Sequence, residues 1–243
     1  MTVGLLYDST RCVGCHACSQ ACKEQNKLPG EVQEQTTAYT WTVVKEHQGA
    51  FVRQLCMHCI EPSCASVCPV AALHKTKEGP VVYDADKCMG CRYCMLACPF
   101  EVPKYQWDRA VPVVGKCIMC YDRVKDGQAT ACATACPTQA TVFGDRKDLI
   151  MDARERMRSN PGTYQEAIYG IKEVGGTGVL MISGVPFASL GLKTGLPEEA
   201  PPMRTWQVLS KIPDFVAVWA ASLYAIHWIT KRRDDVAKAE GAE

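Results

Sequence analysis

The chain has 243 residues, enough for one large or two small domains, and carries a formal charge of only +1. This balance gives no electrostatic case for binding nucleic acid, and we expect no nucleic-acid partner. Sixteen residues are cysteines, so the ordinary aliphatic core is modest. Something besides hydrophobic burial must help to order the chain.

The cysteines fall into four groups of four, with none left over. They are Cys12, Cys15, Cys18 and Cys22 in group one; Cys56, Cys59, Cys64 and Cys68 in group two; Cys88, Cys91, Cys94 and Cys98 in group three; and Cys117, Cys120, Cys132 and Cys136 in group four. Neighbours are often separated by only two residues, where a disulfide would be strained and would close almost no loop. A disulfide framework is therefore disfavoured.

Zinc sites and iron–sulfur clusters are the remaining interpretations. Structural zinc usually takes two C-x2-C pairs a dozen or more residues apart. Groups one and three instead have the run C-x2-C-x2-C-x3-C, which is typical of bacterial ferredoxins that bind [4Fe–4S] clusters, with proline after the last cysteine. Pro69, Pro99 and Pro137 occupy that place in groups two to four, and Lys23 breaks the pattern in group one. The sequence predicts [4Fe–4S] clusters, with a non-redox zinc scaffold as the alternative.

The chain also repeats itself. Residues 5–15 (LLYDSTRCVGC) match residues 81–91 (VVYDADKCMGC), and residues 64–72 (CASVCPVAA) match residues 132–140 (CATACPTQA). Such repeats indicate duplicated ferredoxin-like units, each with a strand, a cysteine turn, a short helix and a second strand. A tight turn can supply three thiolates to one cluster, while the fourth cysteine points onward to a neighbouring cluster. We predict an α+β fold for residues 1–144, and the pattern leaves open which groups exchange their fourth ligand.

The segments outside the cysteine motifs give further predictions in chain order. Residues 23–55 are typical of a strand-forming insertion, and the spacer 121–131 of a surface loop. Periodicity and alternating charge predict a helix over 145–159. Residues 175–192 are apolar but interrupted by glycine and proline, so we expect strand and coil there. The proline-rich run 196–202 indicates an extended linker.

The C-terminal part differs in kind. Residues 145–205 are expected to pack on the cluster domain, and 206–231 to form a membrane anchor. Within the anchor, 212–230 carries one formal charge and spans about 28 Å as a helix, close to a bilayer core. The basic run 231–233 follows at once, so the polar tail 232–243 is expected in the cytoplasm, with the cluster domain on the outer side. The alternative is a helix that is buried or packed on a partner.

Several side chains near the cysteines allow two interpretations. His16 and His58 lie inside cysteine loops, while Arg11, Lys87 and Lys116 each precede the first cysteine of a group. They are expected either to tune a cluster through hydrogen bonds and charge, or to be ordinary packed or solvated groups. No carboxylate pair, nucleophile–base arrangement or phosphate loop predicts a catalytic site in the chain.

The order of the groups resembles the four-cluster ferredoxin-like electron-transfer subunits of membrane-bound bacterial oxidoreductases. That superfamily includes the β subunits of formate dehydrogenase, nitrate reductase and dimethyl sulfoxide reductase. A closer likeness, to the membrane-anchored iron–sulfur subunit of the hydrogenase-2 type, covers almost the whole chain. The residues that carry these likenesses are 4–18, 54–59, 56–73, 83–105, 116–120 and 175–192.

The resemblance implies four clusters that exchange their fourth ligands between groups. The implied ligand sets are Cys12, Cys15, Cys18 and Cys136; Cys117, Cys120, Cys132 and Cys22; Cys88, Cys91, Cys94 and Cys68; and Cys56, Cys59, Cys64 and Cys98. Some relatives have a non-cysteine at one position and a [3Fe–4S] cluster there. Because every position here is cysteine, we predict four [4Fe–4S] clusters.

The resemblance further implies a non-catalytic subunit of an oxidoreductase complex in the lipid bilayer of the bacterial cytoplasmic membrane. It would relay single electrons between a catalytic subunit, a [NiFe] hydrogenase, and an integral-membrane quinone-binding subunit, with its cluster domain on the periplasmic face. The hydrogenase subunit normally carries an export signal, and none is visible at this N-terminus. We expect export in the folded state, with a partner's signal or after loss of its own. The alternative partner is a molybdopterin enzyme, such as a formate dehydrogenase or a sulfur-compound reductase.

Overall fold

The computed structural model describes residues 2–110 and 113–241, and the chain divides into two compact units, one ending at Pro202 and one beginning at Met203. The helices in these residues are α1 (Ala17–Gln25), α2 (Ser63–Ser66), α3 (Tyr93–Ala97), α4 (Tyr121–Lys125), α5 (Ala131–Thr134), α6 (Arg146–Ser159), α7 (Pro201–Leu209) and α8 (Ile212–Glu240). The strands are β1 (Val3–Asp8), β2 (Val43–His47), β3 (Ala50–Gln54), β4 (Leu73–Lys75), β5 (Val81–Tyr83), β6 (Lys104–Tyr105), β7 (Val114–Gly115), β8 (Thr141–Asp145) and β9 (Val179–Ile182). This mixture confirms the expected α+β class.

The centre of the first unit is a three-stranded sheet in the order β8–β1–β9, in which β1 is antiparallel to β8 and parallel to β9. The middle strand is almost wholly apolar because both of its faces are covered. Leu5 and Tyr7 pack on the side that holds the cysteines. Leu6 points to the opposite face, where it packs against Leu149 and Ala153 of α6. The sheet therefore separates the cysteine-containing core from α6.

The other strands form short antiparallel pairs. Strands β2 and β3 form a hairpin within residues 23–55, where a strand-forming insertion was expected, and β4–β5 and β6–β7 are the remaining pairs. The β2–β3 turn passes through Gln48 and Gly49, both with positive φ, as a two-residue hairpin turn requires. Asn or Gly is the usual choice at the first of these places, so Gln48 is held there by the pairing of the strands on either side.

Two elements after the cysteine domain agree with the predictions made from the sequence. The helix expected over 145–159 is α6, whose first turn is capped by Asp145; its side chain accepts the N–H of Lys147 over 2.9 Å. The strand expected within 175–192 is β9, which is buried along its whole length. Both could be predicted from sequence because a cap and an apolar run are local features.

Two other expectations were wrong in part. The spacer 121–131, expected as a surface loop, contains α4, because Val124 is buried and anchors a helical turn there. The linker expected over 196–202 ends in helix, since α7 begins at Pro201. Proline is tolerated in a first turn because its missing N–H would have had no helical partner.

The second unit consists mainly of α8. The helical stretch Pro201–Glu240 is long and apolar enough to cross a membrane, by length and composition. It includes the helix predicted for 206–231, and large apolar side chains are exposed along it. Helix α8 continues to Glu240, so most of the expected polar tail is helical. That tail contains alanine, arginine and glutamate, which favour helix. The Arg232 guanidinium lies 5.6 Å from the centre of the Trp228 ring.

Candidate metal centres

The strand pairing brings the cysteine groups together two by two. Strand β1 leads into group one and β8 follows group four, and these two strands pair with each other. Strand β5 leads into group three and β4 follows group two, and they also pair. Groups one and four therefore share one half of the first unit, and groups two and three share the other.

The two halves have the same register. In the first half Tyr7, five residues before Cys12, stands opposite Thr141, five residues after Cys136. In the second half Tyr83, five residues before Cys88, stands opposite Leu73, five residues after Cys68. The closing hydrogen bonds also correspond: the N–H of Asp8 donates to Ala140, and that of Asp84 donates to Ala72, each over 2.8 Å. The duplication seen in the sequence is therefore a duplication of backbone pairing.

The cysteine turns share one backbone conformation. The residue two places after the first cysteine of each group has positive φ: Gly14 (69°), His58 (49°), Gly90 (75°) and Met119 (56°). This conformation costs roughly 1 kcal/mol or more for a residue that has a Cβ. At Gly14 there is a second requirement, because a Cβ would lie 2.5 Å from the Phe51 ring. All four turns thus bend at the same place despite different residues.

The proline after the last cysteine ends the helix in three groups. The carbonyls of Cys68, Cys98 and Cys136 each accept an N–H from three residues onward, and that donor has positive φ. The short helices of these groups stop before the last cysteine. Group one has Lys23 in place of proline, so α1 continues past Cys22 to Gln25. Lys23 in place of proline therefore lengthens the helix and does not remove a metal site.

Cys68 of group two lies together with three cysteines of group three. Cys68, Cys88, Cys91 and Cys94 line one cavity, whose remaining walls include the apolar residues Val70, Ala72, Leu73, Met89 and Val114. The hydroxyl of Tyr105, also in this wall, lies 3.3 Å from the Cys94 sulfur. A cavity lined by four thiols and apolar side chains suits a group that binds through sulfur.

Two further sets of thiols lie close enough to perturb one another. Burial raises the pKa of the Cys59 thiol, and Cys56, Cys98 and Cys64 raise it further. Burial likewise raises the pKa of Cys22 to about 12, with contributions from Cys132 and Cys120 of group four. Cys98 therefore lies near the group two thiols, and Cys22 near those of group four.

Cys136 is held just before the start of β8. The N–H of Thr141 donates to its sulfur over 3.4 Å. Its placement near group one follows from the pairing of β8 with β1. Within group one, Cys18 is buried while Cys15 is exposed.

The distances between the thiols bear on whether they could bind a single metal ion or an iron–sulfur cluster. All sixteen cysteines are free thiols. Within residues 2–110 and 113–241, no three His, Cys, Asp or Glu side chains are grouped closely enough to hold a single metal ion. A zinc ion binds each sulfur at about 2.3 Å and needs such a tight group. An iron–sulfur core is itself a wide body, so its ligands stand further apart.

Buried charge gives an independent test of fit. Arg53 and Lys116 are only 1% and 2% exposed, and neither has a carboxylate within salt-bridge distance among the described residues. Asp8, which is also buried, pairs with Arg156 instead. A buried cation costs several kcal/mol unless a negative charge compensates it. Thiolate-bound [4Fe–4S] clusters, at about −2 each, would supply that charge, so the residues present fit these groups.

The basic side chains noted in sequence have different environments. Arg11 and Lys87 are largely exposed and pair with Asp8 and Asp84, so the solvated interpretation holds for both. Lys116 is not solvated; its ammonium donates to the carbonyls of Val81 and Cys117.

His58 is fully buried and accepts the N–H of Val81 at Nδ1, over 2.9 Å. Burial, together with the nearby Lys116 and Lys75, holds its pKa well below the usual range. The imidazole is therefore neutral, with its proton on Nε2. Its Nε2 is buried and has no hydrogen-bond partner among the described residues.

Arg53 is the residue that the sequence motifs missed. It lies in β3, three residues before Cys56, and donates to the hydroxyls of Thr42 (2.9 Å) and Thr141 (3.3 Å). The available signal was a single arginine within an otherwise mostly apolar run, AFVRQL. A charged side chain buried on a strand needs hydrogen-bond partners, and here the two hydroxyls come from outside β3.

Comparison with known proteins identifies relatives over most of the chain. Residues 47–146 match a family model described as a 4Fe-4S dicluster domain. A protein of Nitratidesulfovibrio vulgaris (strain Hildenborough) is 43% identical over 258 aligned positions, which cover 99% of this chain and 70% of the relative. The hydrogenase-2 operon protein HybA of Escherichia coli O157:H7 is 37% identical, covering 79% of this chain and 73% of HybA. The B subunit of the anaerobic dimethyl sulfoxide reductase of Escherichia coli K12 is 40% identical over 60% of this chain and 75% of its own length.

Proposed function

The chain belongs to the family of 4Fe-4S iron–sulfur proteins that includes the hydrogenase-2 operon protein HybA, and on that premise we propose that it relays single electrons through four [4Fe–4S] clusters. Its character as an iron–sulfur electron-transfer subunit follows from the family. The relay would run between a catalytic subunit, a [NiFe] hydrogenase, and a quinone-reactive subunit in the membrane. The number of clusters and the partners are the inferred parts.

The observation that carries the proposal is the sorting of the sixteen thiols into matched halves. Pairing of β1 with β8 and of β4 with β5 supports an exchange of the last cysteine between groups one and four, and between groups two and three. In this assignment Cys22 serves group four and Cys136 serves group one. Cys98 serves group two and Cys68 serves group three, in agreement with the shared cavity and the neighbouring thiols.

When bound, a [4Fe–4S] cluster accepts and releases one electron at a time, at a potential set by hydrogen bonds, charge and burial. The chain supplies hydrogen bonds to several of the sulfurs. The N–H of Met119 donates to Cys117 over 3.3 Å, and the Thr130 hydroxyl lies 3.4 Å from Cys132. These contacts orient the thiolates and withdraw charge from them.

The chain itself is proposed to be non-catalytic. Its thiols are assigned to cluster binding, and its relatives by name include a subunit of dimethyl sulfoxide reductase and a hydrogenase operon protein. The catalytic site would then lie in a partner. We propose that α8 anchors the complex in the cytoplasmic membrane, with the cluster domain on the periplasmic face and the C-terminus in the cytoplasm.

The test of the proposal is the metal content of the protein purified anaerobically in its complex. We expect about sixteen iron atoms and sixteen acid-labile sulfides per chain, as four [4Fe–4S] clusters require. A brown protein with half that iron and sulfide content would show that the chain holds fewer than four clusters. Zinc in place of iron, with no visible chromophore, would contradict the relay and favour the scaffold interpretation.

A molybdopterin enzyme is the alternative catalytic partner, and the likeness to the B subunit of dimethyl sulfoxide reductase favours it. Both alternatives keep the same relay, so this chain's own clusters do not distinguish them. The other metals of the purified complex do. Nickel would support the hydrogenase, whereas molybdenum or tungsten would support the molybdopterin enzyme.

A further inference from the structure

We infer that Arg53 raises the reduction potential of the clusters assigned to groups one and four, by placing a fixed positive charge beside their ligands. This inference rests on the proposed function, because it concerns clusters of the relay. Arg53 is not one of the ligands. Its effect would be exerted through the electric field at the clusters.

The guanidinium is held in one position by two strands. Arg53 lies on β3, and its Nε donates to the hydroxyl of Thr42, just before β2, over 2.9 Å. Its Nη1 donates to the hydroxyl of Thr141, the first residue of β8, over 3.3 Å. Both acceptors are neutral, so they orient the charge without compensating it.

Thiols of both ligand sets in this half lie near this charge. The N–H of Thr141, whose hydroxyl accepts from Arg53, donates to the Cys136 sulfur over 3.4 Å. Burial acts to raise the pKa of Cys18 and of Cys132, and the guanidinium acts against burial at both. Arg53 therefore lies beside thiols of groups one and four.

Lys116 and Lys23 are further buried cations with no carboxylate within salt-bridge distance among the described residues. The ammonium of Lys116 donates to the carbonyls of Val81 and Cys117. The ammonium of Lys23 donates to the carbonyls of Pro29 and Tyr39.

The direction of the effect follows from charge. Gaining one electron makes a cluster one unit more negative, and a fixed cation nearby stabilises that reduced form more than the oxidised form. Burial strengthens the effect because there is little water to screen it. Arginine is suited to this role since it stays protonated at every physiological pH. The clusters beside Arg53 should therefore hold an electron more readily than they would without that charge.

The experiment is a redox titration monitored by EPR, on the complete complex purified from membranes. Arg53→Gln removes the charge and keeps a polar side chain. We expect the midpoint potential to fall at the clusters whose EPR signals Cys15→Ser and Cys120→Ser alter. The cluster altered by Cys91→Ser should keep its potential. Arg53→Lys retains the charge and should restore most of the shift.

Lys116→Met is the matched control for position. It removes a buried cation that lies beside Val81 and Cys117, so the cluster whose signal Cys15→Ser alters should keep its potential. A uniform fall of all four potentials in either variant would indicate general disturbance of the core and would contradict the inference.

Unchanged potentials in Arg53→Gln, with four clusters loaded, would overturn the inference and leave the proposed function intact. An equal fall in Arg53→Lys would also overturn it, because the lost hydrogen bonds and not the charge would then be responsible. If Arg53→Gln does not assemble, Thr42→Asp replaces it: a carboxylate beside Nε neutralises the guanidinium, and absence of a fall there decides against the inference. A protein without iron and sulfide would instead contradict the proposed function.

Discussion

Tyr7 pairs with Thr141 across β1 and β8, although more than 130 positions separate them along the chain. Each lies five residues from a cysteine of its own group, and Tyr83 pairs with Leu73 at the same offset in the other half. This common register brings group one alongside group four, and group two alongside group three. It gives the exchange of ligands a structural basis that can be tested cysteine by cysteine.

The first prediction concerns this exchange. Cys98→Ser should alter the same EPR signal as Cys59→Ser, because both side chains are assigned to the cluster of group two. Cys94→Ser, only four residues away, should alter a different signal. If Cys98→Ser and Cys94→Ser instead change one common signal, each group keeps its own fourth ligand and the exchange is wrong.

The second prediction compares two aspartates at equivalent positions of the repeat. Asp8 is fully buried, bonded to Arg156 (3.2 Å), Tyr164 (3.0 Å) and the Thr10 hydroxyl (2.6 Å). Asp8→Asn should lower the free energy of unfolding by about 1–3 kcal/mol, because it removes the buried anion that these three groups share, while Arg156 keeps its ion pair with Asp152.

Asp84 is the matched control, since its contact is a half-exposed ion pair with Lys87. Asp84→Asn should change stability little, because water screens that pair. Chemical denaturation of both variants measures the difference. Equal losses would show that burial does not distinguish the two repeats.

The third prediction concerns close packing at a strand glycine. A Cβ on Gly115 of β7 would collide with the backbone of Ala38, whereas one on Gly144 of β8 would meet only the Leu149 side chain, at 3.6 Å. Gly115→Ala should therefore destabilise the protein by about 1–3 kcal/mol through overpacking. Gly144→Ala, also in a strand and at negative φ, should leave the melting temperature nearly unchanged. Equal melting temperatures for the two variants would contradict the close approach at Gly115.

The fourth prediction concerns α8. A chain ending at Pro202 should be lost from the membrane fraction after an alkaline carbonate wash, because it lacks the apolar helix. A chain ending at Arg233 keeps that helix and its basic flank and should remain. Retention of the shorter chain would show that partner subunits alone hold the protein at the membrane.

Orientation is tested separately. Green fluorescent protein fused after Glu243 should fluoresce, and alkaline phosphatase fused there should be inactive, if the C-terminus is cytoplasmic. Active phosphatase would reverse the proposed orientation. The two reporters give opposite signals, so either result is informative.

The local features of this protein could be predicted from its residues alone. The cysteine spacing predicted the turns, and the periodicity and charge pattern predicted α6. The apolar run and basic flank predicted α8. Each depends on residues within a few positions of one another, so no knowledge of the fold was needed.

Long-range packing determines which groups stand together and which charges are buried. The pairing of β1 with β8 joins segments more than 130 residues apart, and no pattern along the chain encodes it. Lys87 and Lys116 precede cysteines in the same way, yet one is exposed and the other buried. Arg53 gave no motif at all. The burial of a side chain depends on segments that arrive from elsewhere in the chain, and those segments make an ordinary arginine on β3 an uncompensated charge among thiols.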